Sequence, residues 1–533
     1  MSKLPWWFTG SLSILAILGL TVGPIGALLL QGGQSNWSLL LEDRYLRQVI
    51  WFSFYQALLS TLLSLVLAIP LAQALSRRRF WARGLLLRLF GLSLVLPVIL
   101  VVFGIVTVHG RQGWVNQLLS LFGFESISYL YGLIGILLAH VFFNMPLAAR
   151  ILLQSIDSIP SNHWRLSDQL GFNSWQLFTR LEWPRIRSAL PALASLIFML
   201  CFTSFATVMA LGGGPKSTTL EVAIYQALRF DFDLPLAGML ALLQLVFCSG
   251  FLLLQYKVTT TEPQPNHSEP LLLRPDRTSL GVKMWDSLVL FICLGVFIPP
   301  LLAIISSGFN SQLWTALHSS QLWHALLTSI IIALGAALLC LLLTLGLLHS
   351  TRHLRLQLMR RRSAAAMEAL GSIILVLPAV VLSTGLFILL RNIADVFTLG
   401  PLLVLLVNAL MALPYGLRTL QLPMERITRQ YQQLCTSLAV KGWARLKWVE
   451  WPLLRKPIAL AFALAMMLSL GDLSAIALFG SQSLQTLPWL LYQQLGNYQM
   501  QDAAATALVL LVLSIGLFSL IEGVLGGRDA VHK

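Results

Sequence analysis

Five polar side chains interrupt stretches of the sequence that are otherwise apolar. They are His140, Asn144, Ser204, Asn408 and Asp472. A carboxylate inside a membrane is costly and by default marks a functional site, so Asp472 could line a solute pathway. Alternatively, it bonds local backbone and holds a helix break near Gly471, which is how buried polar groups usually find partners. His140, Asn144 and Asn408 could form a polar set beside a central axis. The favoured interpretation is that they form hydrogen bonds between packed helices.

The sequence contains no spacing that is typical of an enzyme. We find no Ser/His/Asp or metal-ligand arrangement, and the five cysteines include no C-x-x-C pair. The stretch GGGPKST at 212–218 lacks the glycine directly before lysine that a Walker phosphate loop needs. We therefore predict no catalytic residue, no metal and no cofactor in this chain.

The composition predicts a protein that uses lipid as its solvent. Of the 533 residues, 57% are hydrophobic and only 11% are charged, against about a quarter charged in soluble proteins. A membrane-spanning helix needs about 20 apolar residues. Twelve such runs are predicted, at 8–30, 49–75, 89–108, 129–149, 188–211, 234–256, 287–306, 321–348, 369–390, 399–417, 457–479 and 503–521.

The net charge of +15 is distributed as membrane orientation requires. With both termini in the cytoplasm, the inside segments carry 30 of the 36 Lys and Arg residues, as the positive-inside rule predicts. The runs at 77–79 and 360–362 dominate two of these segments. The basic charge is therefore a signal of topology, and we predict no nucleic-acid partner.

The chain divides into two halves that repeat each other. A polar, proline-rich stretch near the midpoint, TTTEPQPNHSEP, predicts a linker at 257–283 between a first half, 1–256, and a second half, 284–533. LVLP at 94–97 recurs at 375–378, and a glycine (Gly104, Gly385) follows seven residues after each proline. Six spans per half place both halves in the same direction, so the predicted fold is an all-α integral membrane protein of two parallel six-helix repeats.

The most similar parts of the repeat are two inside loops, 151–187 and 419–456. At a constant shift of 268 residues, MPLAAR corresponds to LPYGLR, Trp175 corresponds to Trp443, and EWP at 182–184 corresponds to EWP at 450–452. Loops vary freely unless something binds them, and these are too long to be plain connectors. We expect two short helices in each loop, with a turn at 172–174 or 441–442.

These loops resemble a known family, the membrane permeases of binding-protein-dependent ABC importers. The signature of that family is E-A-A-x3-G-x9-I-x-L-P in a cytoplasmic loop. Gly171 and Pro184 match its glycine and proline, and Pro452 matches the proline of the second copy. Arg165 and Gln433 replace the family's glutamate, the alanines are missing, and Ala439 replaces the second glycine.

The resemblance implies that each loop is a coupling helix that docks on a separate ATPase subunit. Buried aromatic anchors tend to dominate such interfaces; the competing interpretation places Trp175 and Trp443 at the membrane surface. The predicted coupling residues are Arg165, Leu170, Gly171, Ser174, Trp175, Glu182, Pro184, Gln433, Leu438, Ala439, Gly442, Trp443, Glu450 and Pro452. The resemblance also implies two ATPase copies, a periplasmic substrate-binding protein and a bacterial inner-membrane location.

Fused double permeases of this kind occur among iron(III) and thiamine importers. The stretches HGRQGW (109–114), HVFFNMP (140–146) and FMLCFTSFATVMALGGGP (198–215) are similar to the thiamine or thiamine pyrophosphate type. Thiamine as substrate thus rests on resemblance alone. The alternatives are a permease for iron(III) or another small solute, or an ion-coupled secondary transporter, which should show several intramembrane charges. A polytopic membrane enzyme should show polar residues clustered in long outside loops, and these are short here.

Overall fold

A computed structural model describes residues 6–93, 95–258, 274–356, 358–481 and 484–526. Its regular structure is helical throughout these ranges. The proline-rich part of the predicted linker, 259–270, lies outside the described residues.

The first half contains thirteen α-helices. They are α1 Trp6–Gly32, α2 Leu39–Glu42, α3 Arg44–Arg77, α4 Arg83–Leu92, α5 Val98–His109, α6 Trp114–Leu121, α7 Leu133–Asp157, α8 Ser161–Gln169, α9 Ser174–Leu177, α10 Trp183–Phe202, α11 Phe205–Leu211, α12 Leu220–Arg229 and α13 Leu234–Val258. A π-helical turn, Phe178–Glu182, joins α9 to α10, and a 3₁₀ turn, Pro215–Ser217, precedes α12.

The second half follows the same order. Its helices are α14 Leu280–Gly308, α15 Gln312–His318, α16 Ser320–Leu356, α17 Arg361–Gly371, α18 Ala379–Leu390, α19 Gly400–Ser437, α20 Gly442–Arg445, α21 Trp451–Leu470, α22 Ser474–Phe479, α23 Leu487–Gly496 and α24 Met500–Gly526. A second π-helical turn, Leu446–Glu450, joins α20 to α21, and 3₁₀ turns occupy Pro275–Thr278 and Ile373–Val376.

Eleven helical segments in the described ranges are long and apolar enough to cross a bilayer. The predicted span at 369–390 corresponds to α18, an apolar helix of only 12 residues. An all-helical, multi-pass membrane fold with two six-helix repeats is therefore confirmed, and in both halves the third span is the short one.

The predicted third spans, 89–108 and 369–390, are not continuous helices. Pro97 and Pro378 do not kink continuous helices; each is the residue before the first turn, at the start of α5 and of α18, with extended ψ values of 133° and 150°. Proline has no N–H to donate, and the first turn of a helix needs none. Each proline therefore separates a short helix, α4 or α17, from the buried 12-residue helix that follows.

Equivalent residues make equivalent contacts in the two halves. The Ser53 hydroxyl of α3 accepts a hydrogen bond from the N–H of Leu220, at 2.9 Å, and the Ser329 hydroxyl of α16 accepts one from Leu487, at 2.8 Å. These buried pairs fix the start of α12 and of α23 against the long second helix of each half. They also set the correspondence between α3 and α16 at 276 residues.

The halves interlock through their short third helices. Helix α5 packs against α14 of the second half, and α18 packs against α1 of the first half. A Cβ on Gly104 would lie 2.5 Å from the carbonyl oxygen of Pro300, and one on Gly385 would lie 2.8 Å from that of Pro24. The two glycines that follow the repeated prolines thus allow close approach of backbones from opposite halves.

We expect Gly104→Ala and Gly385→Ala to destabilise the protein by about 1–3 kcal/mol each, since a new methyl group in a packed core forces the backbone to shift. The unfolding temperature of the detergent-solubilised protein, followed by tryptophan fluorescence, measures this effect. Gly26→Ala is the control, because a Cβ at that position has no atom within 4 Å. Equal unfolding temperatures for all three variants would contradict the interlocked packing.

Candidate docking surface

The two repeated loops form the same turn, but the helix that leads into the turn differs between them. In the first half, Pro160 ends the long helix and α8 starts at Ser161. In the second half the equivalent residue is Thr428, which keeps its N–H, and α19 continues unbroken to Ser437. The expectation of two short helices is therefore right for the first loop and wrong for the second, where proline is absent at the point of the break.

Both helices then end in a left-handed residue at equivalent positions. Gly171 has φ +65° and Ala439 has φ +53°. The next N–H closes the turn on the helix, from Phe172 to the carbonyl of Ser167 at 3.0 Å and from Val440 to that of Cys435 at 2.8 Å. Glycine adopts this conformation freely, whereas alanine does so at a steric cost. Alanine in place of the family's glycine at position 439 therefore strains the backbone, but the turn still forms.

The chain restarts as a helix directly after each turn. In the first half the Asn173 side chain accepts from the N–H of Gln176 at 2.9 Å, and the Gln176 side chain accepts from the N–H of Asn173 at 2.9 Å. This capping box satisfies two helix donors. In the second half Lys441 makes no side-chain cap. Ser174 and Gly442 are the first residues of the restarted helices, which continue through a π turn into the spans α10 and α21.

Each loop presents a triad of exposed apolar side chains around its turn. In the first half Leu166, Leu170 and Trp175 are 56%, 61% and 69% exposed. Their equivalents at a shift of 268 are Leu434, Leu438 and Trp443, which are 53%, 65% and 66% exposed. Arg165 and Gln433 lie exposed beside these triads, and Pro184 and Pro452 lie exposed at the first turn of α10 and α21. We call the six apolar residues the paired triads. Exposed apolar patches rimmed by polar groups are typical of interaction sites.

The two glutamates of the predicted coupling set do not belong to this exposed surface. Glu182 and Glu450 are 0% and 8% exposed. The Glu182 carboxylate receives a hydrogen bond from Gln73 and pairs with Arg274. They therefore fix the restarted helices to the rest of the molecule, beneath the surface.

Three of the predicted pathway residues each contact a partner in their own half. His140 Nδ1 lies 2.8 Å from the Ser60 hydroxyl, and Asn144 Nδ2 lies 3.2 Å from Cys201 Sγ. In the second half Asn408 Nδ2 donates to the Ser469 hydroxyl at 2.9 Å. These three residues are buried, and their contacts join α7 to α3 and α10 and join α19 to α21. Among the described contacts none joins His140 or Asn144 to Asn408.

Ser204 and Asp472 occupy equivalent helix breaks. Helices α10 and α21 end at Phe202 and Leu470, and each chain segment restarts within four residues as α11 or α22. The Asp472 carboxylate accepts from the N–H groups of Ser474 at 3.0 Å and Ala475 at 3.1 Å. The carboxylate thus accepts from two N–H donors in the first turn of α22.

Two functional-looking residues escaped the sequence analysis. Glu221 is 2% exposed and accepts a hydrogen bond from Gln244 at 3.0 Å; it lies in α12, whose 10 residues are too few for a predicted span. Arg274 lies in the predicted linker but is only 7% exposed. Its burial depends on partners far away in the sequence, so composition alone gave no signal for it.

Comparison with known proteins agrees with this architecture. The family model described as "Binding-protein-dependent transport system inner membrane component" matches twice, at residues 60–259 and 344–522. The chain belongs to this family of membrane transport components, and the double match reproduces the repeat.

Particular relatives narrow the similarity to one kind of permease. The chain is 46% identical to the thiamine transport system permease protein ThiP of Escherichia coli, over 98% of this chain and 97% of the relative. It is 45% identical to the protein of the same name in Salmonella typhimurium and 42% identical to that in Haemophilus influenzae, over 98% and 97% of this chain and 97% and 96% of the relatives. The similarity therefore includes both halves.

Exchanging the two turn residues should have opposite effects. Gly171→Ala should destabilise its turn by about 1 kcal/mol and Ala439→Gly should stabilise its own by a similar amount, because the left-handed conformation costs roughly 1–2 kcal/mol for non-glycine residues. A Cβ on Gly171 meets no atom within 4 Å, so the effect is conformational. Hydrogen exchange of 165–177 and 433–445 measures it. Changes of the same sign in the two variants would show that the turns are not equivalent.

Proposed function

We propose that this chain is the complete membrane permease of an ATP-driven importer that moves thiamine or thiamine pyrophosphate across the bacterial inner membrane. Both termini lie in the cytoplasm, as the distribution of Lys and Arg favours. Two copies of a separate ATPase subunit bind the paired triads, and a periplasmic binding protein delivers the substrate. The chain itself hydrolyses no ATP.

The observation that carries the proposal is the equivalence of the paired triads. Two apolar surfaces of the same composition, on the same turn and related by one residue shift, suit two copies of one partner. Trp175 and Trp443 provide the large aromatic side chains that concentrate binding energy at protein interfaces. An ion-coupled transporter has no use for two such surfaces, and this favours an external motor.

The geometry provides a route for force. In each half the exposed tryptophan lies in the same continuous helical segment as a membrane span, Ser174–Phe202 or Gly442–Leu470. Movement of a docked ATPase subunit therefore moves a whole span, up to the helix break at Ser204 or Asp472. ATP acts as a ligand that the closed ATPase pair binds better, and it can shift the permease only through this difference in affinity.

The substrate assignment rests on the named function of the relatives. Thiamine carries a thiazolium cation, and the Asp472 carboxylate at the helix break could offer it a counter-charge. Both carboxylate oxygens already accept backbone N–H bonds, so capping is the primary role we propose for Asp472. Ser204 shares its position in the first half. His140, Asn144 and Asn408 contribute through helix packing around the path.

Trp175→Ala and Trp443→Ala should each weaken binding of the ATPase subunit, by about 2 kcal/mol or more if they are hot spots. Co-purification of the tagged permease with its ATPase partner measures the loss. Trp81→Ala is the matched control, since Trp81 is 95% exposed and lies outside the repeated loops. Unchanged recovery in both loop variants would favour the membrane-surface interpretation of these tryptophans.

Uptake of labelled thiamine tests the function directly. Vesicles that contain the permease, the ATPase subunit and the binding protein should accumulate thiamine only when ATP is present. Omitting the ATPase subunit should abolish uptake, because the sequence contains no Walker phosphate loop. Persistent uptake without it would overturn the proposal of an external motor, and uptake of iron(III) in place of thiamine would overturn the substrate assignment.

A further inference from the structure

A buried cluster of charged side chains joins the first half to the beginning of the second. Its members are Arg77, Arg78, Glu182, Arg274, Asp276 and Asp286, three guanidinium groups and three carboxylates. Except for Arg78, whose side chain is 20% exposed, all of these side chains are at most 6% exposed. We call this group the linker cluster. Its charges balance, as burial of ions requires.

Arg274 contacts several of the residues that hold the first docking segment, 161–182, in place. Its guanidinium pairs with Glu182 at the start of α10 and with Asp276 at 3.2 Å. It also donates to the Ser76 hydroxyl of α3, at 3.2 Å. Its Cζ lies 4.6 Å from the ring centroid of Trp164, the buried residue of α8. One linker side chain thus contacts α3 and both ends of the segment 161–182.

The second half achieves the same support without a linker. Glu450, the equivalent of Glu182, is bound by Arg352 of α16 at 3.0 Å and by Arg445 at 3.1 Å.

The first half lacks both of these arginines. At the 276-residue correspondence between α3 and α16, Arg352 corresponds to Ser76, and at the shift of 268, Arg445 corresponds to Leu177. The smaller side chain of Ser76 leaves a place that the guanidinium of Arg274 fills, hydrogen-bonded to the serine itself. The charged contact is therefore the same in both halves, but the first half receives its arginine from the linker.

We propose that Arg274 is a positioning residue for the first docking segment, taking the place of the helix arginine that the first half has lost. The inference rests on the proposed function only in that 161–182 carries a docking triad. It assigns the linker a structural task in one half only, so that its loss affects the two docking segments unequally. The linker that joins the two halves is thereby also part of the structure that couples the permease to its ATPase subunits.

Hydrogen exchange of the full-length protein in lipid nanodiscs tests the asymmetry. Arg274→Gln leaves the Glu182 carboxylate buried without its cation, which is strongly unfavourable, so exchange of 161–182 should accelerate by roughly tenfold or more. Exchange of 429–450 in the same molecules should not change, which is an internal control for folding. Arg277→Gln is the matched control, as Arg277 is exposed in the same 3₁₀ turn and should leave both segments unaffected. Equal acceleration in both segments, or none, would overturn the proposal.

Two further variants separate positioning from a general loss of structure. Arg274→Lys keeps the charge but not the planar fork, so it should give intermediate exchange. The double variant Arg274→Gln/Glu182→Gln removes the orphaned carboxylate and should exchange more slowly than Arg274→Gln alone. A double variant that is additive with the two single variants would mean that the two side chains do not act together, and would overturn the pairing.

The exchange measurement needs no ATPase subunit, so it is independent of the proposed function. Recovery of the ATPase partner with Arg274→Gln then tests the connection between the two. Accelerated exchange with reduced recovery supports both proposals. Accelerated exchange with full recovery supports the role of Arg274 and contradicts docking at the first triad, whereas unchanged exchange contradicts the role of Arg274 whatever the recovery.

Discussion

A buried carboxylate connects each proposed docking segment to the rest of the helical domain. Glu182 and Glu450 stand at the beginning of a long span, directly after the π turn that follows the exposed tryptophan. A buried carboxylate must be paired, and each pairs with a cation on, or bound to, the long second helix of its half. The exposed apolar triad therefore moves together with the span. The span can move only if α3 or α16 moves with it or if the ion pair breaks.

The membrane environment explains where the helices are allowed to stop. In lipid every backbone donor needs an internal partner, so breaks are confined to places where side chains or tight turns supply one. Asp472 accepts two N–H groups at the start of α22, and Pro97 and Pro378 start helices where no donor is needed. The glycines at 104 and 385 then let those short helices reach the opposite half, so that the two repeats form one body through exchanged contacts.

The periodic and compositional features of the chain were predictable from sequence, because apolar length and repeat register are local properties. The spans, the repeat and the presence of a turn in each repeated loop followed from them. Burial of Glu182, Glu450 and Arg274 did not follow, since each has at least one charged partner about 90 or more residues away in the sequence. The short helix α12 was missed because ten residues are fewer than a span requires. The continuity of α19 was missed because Thr428, unlike Pro160, has an N–H and no ring to stop the helix.

The origin of Arg274 has a consequence for the order of synthesis. The ribosome completes Glu182 92 residues before it reaches Arg274, and it completes the sixth span of the first half, α13, 16 residues before it. Until then a buried carboxylate has no guanidinium partner, and the first docking segment is held only by weaker contacts such as that from Gln73. The segment 161–182 of the proposed docking surface therefore acquires its guanidinium partner only as the second half begins to emerge.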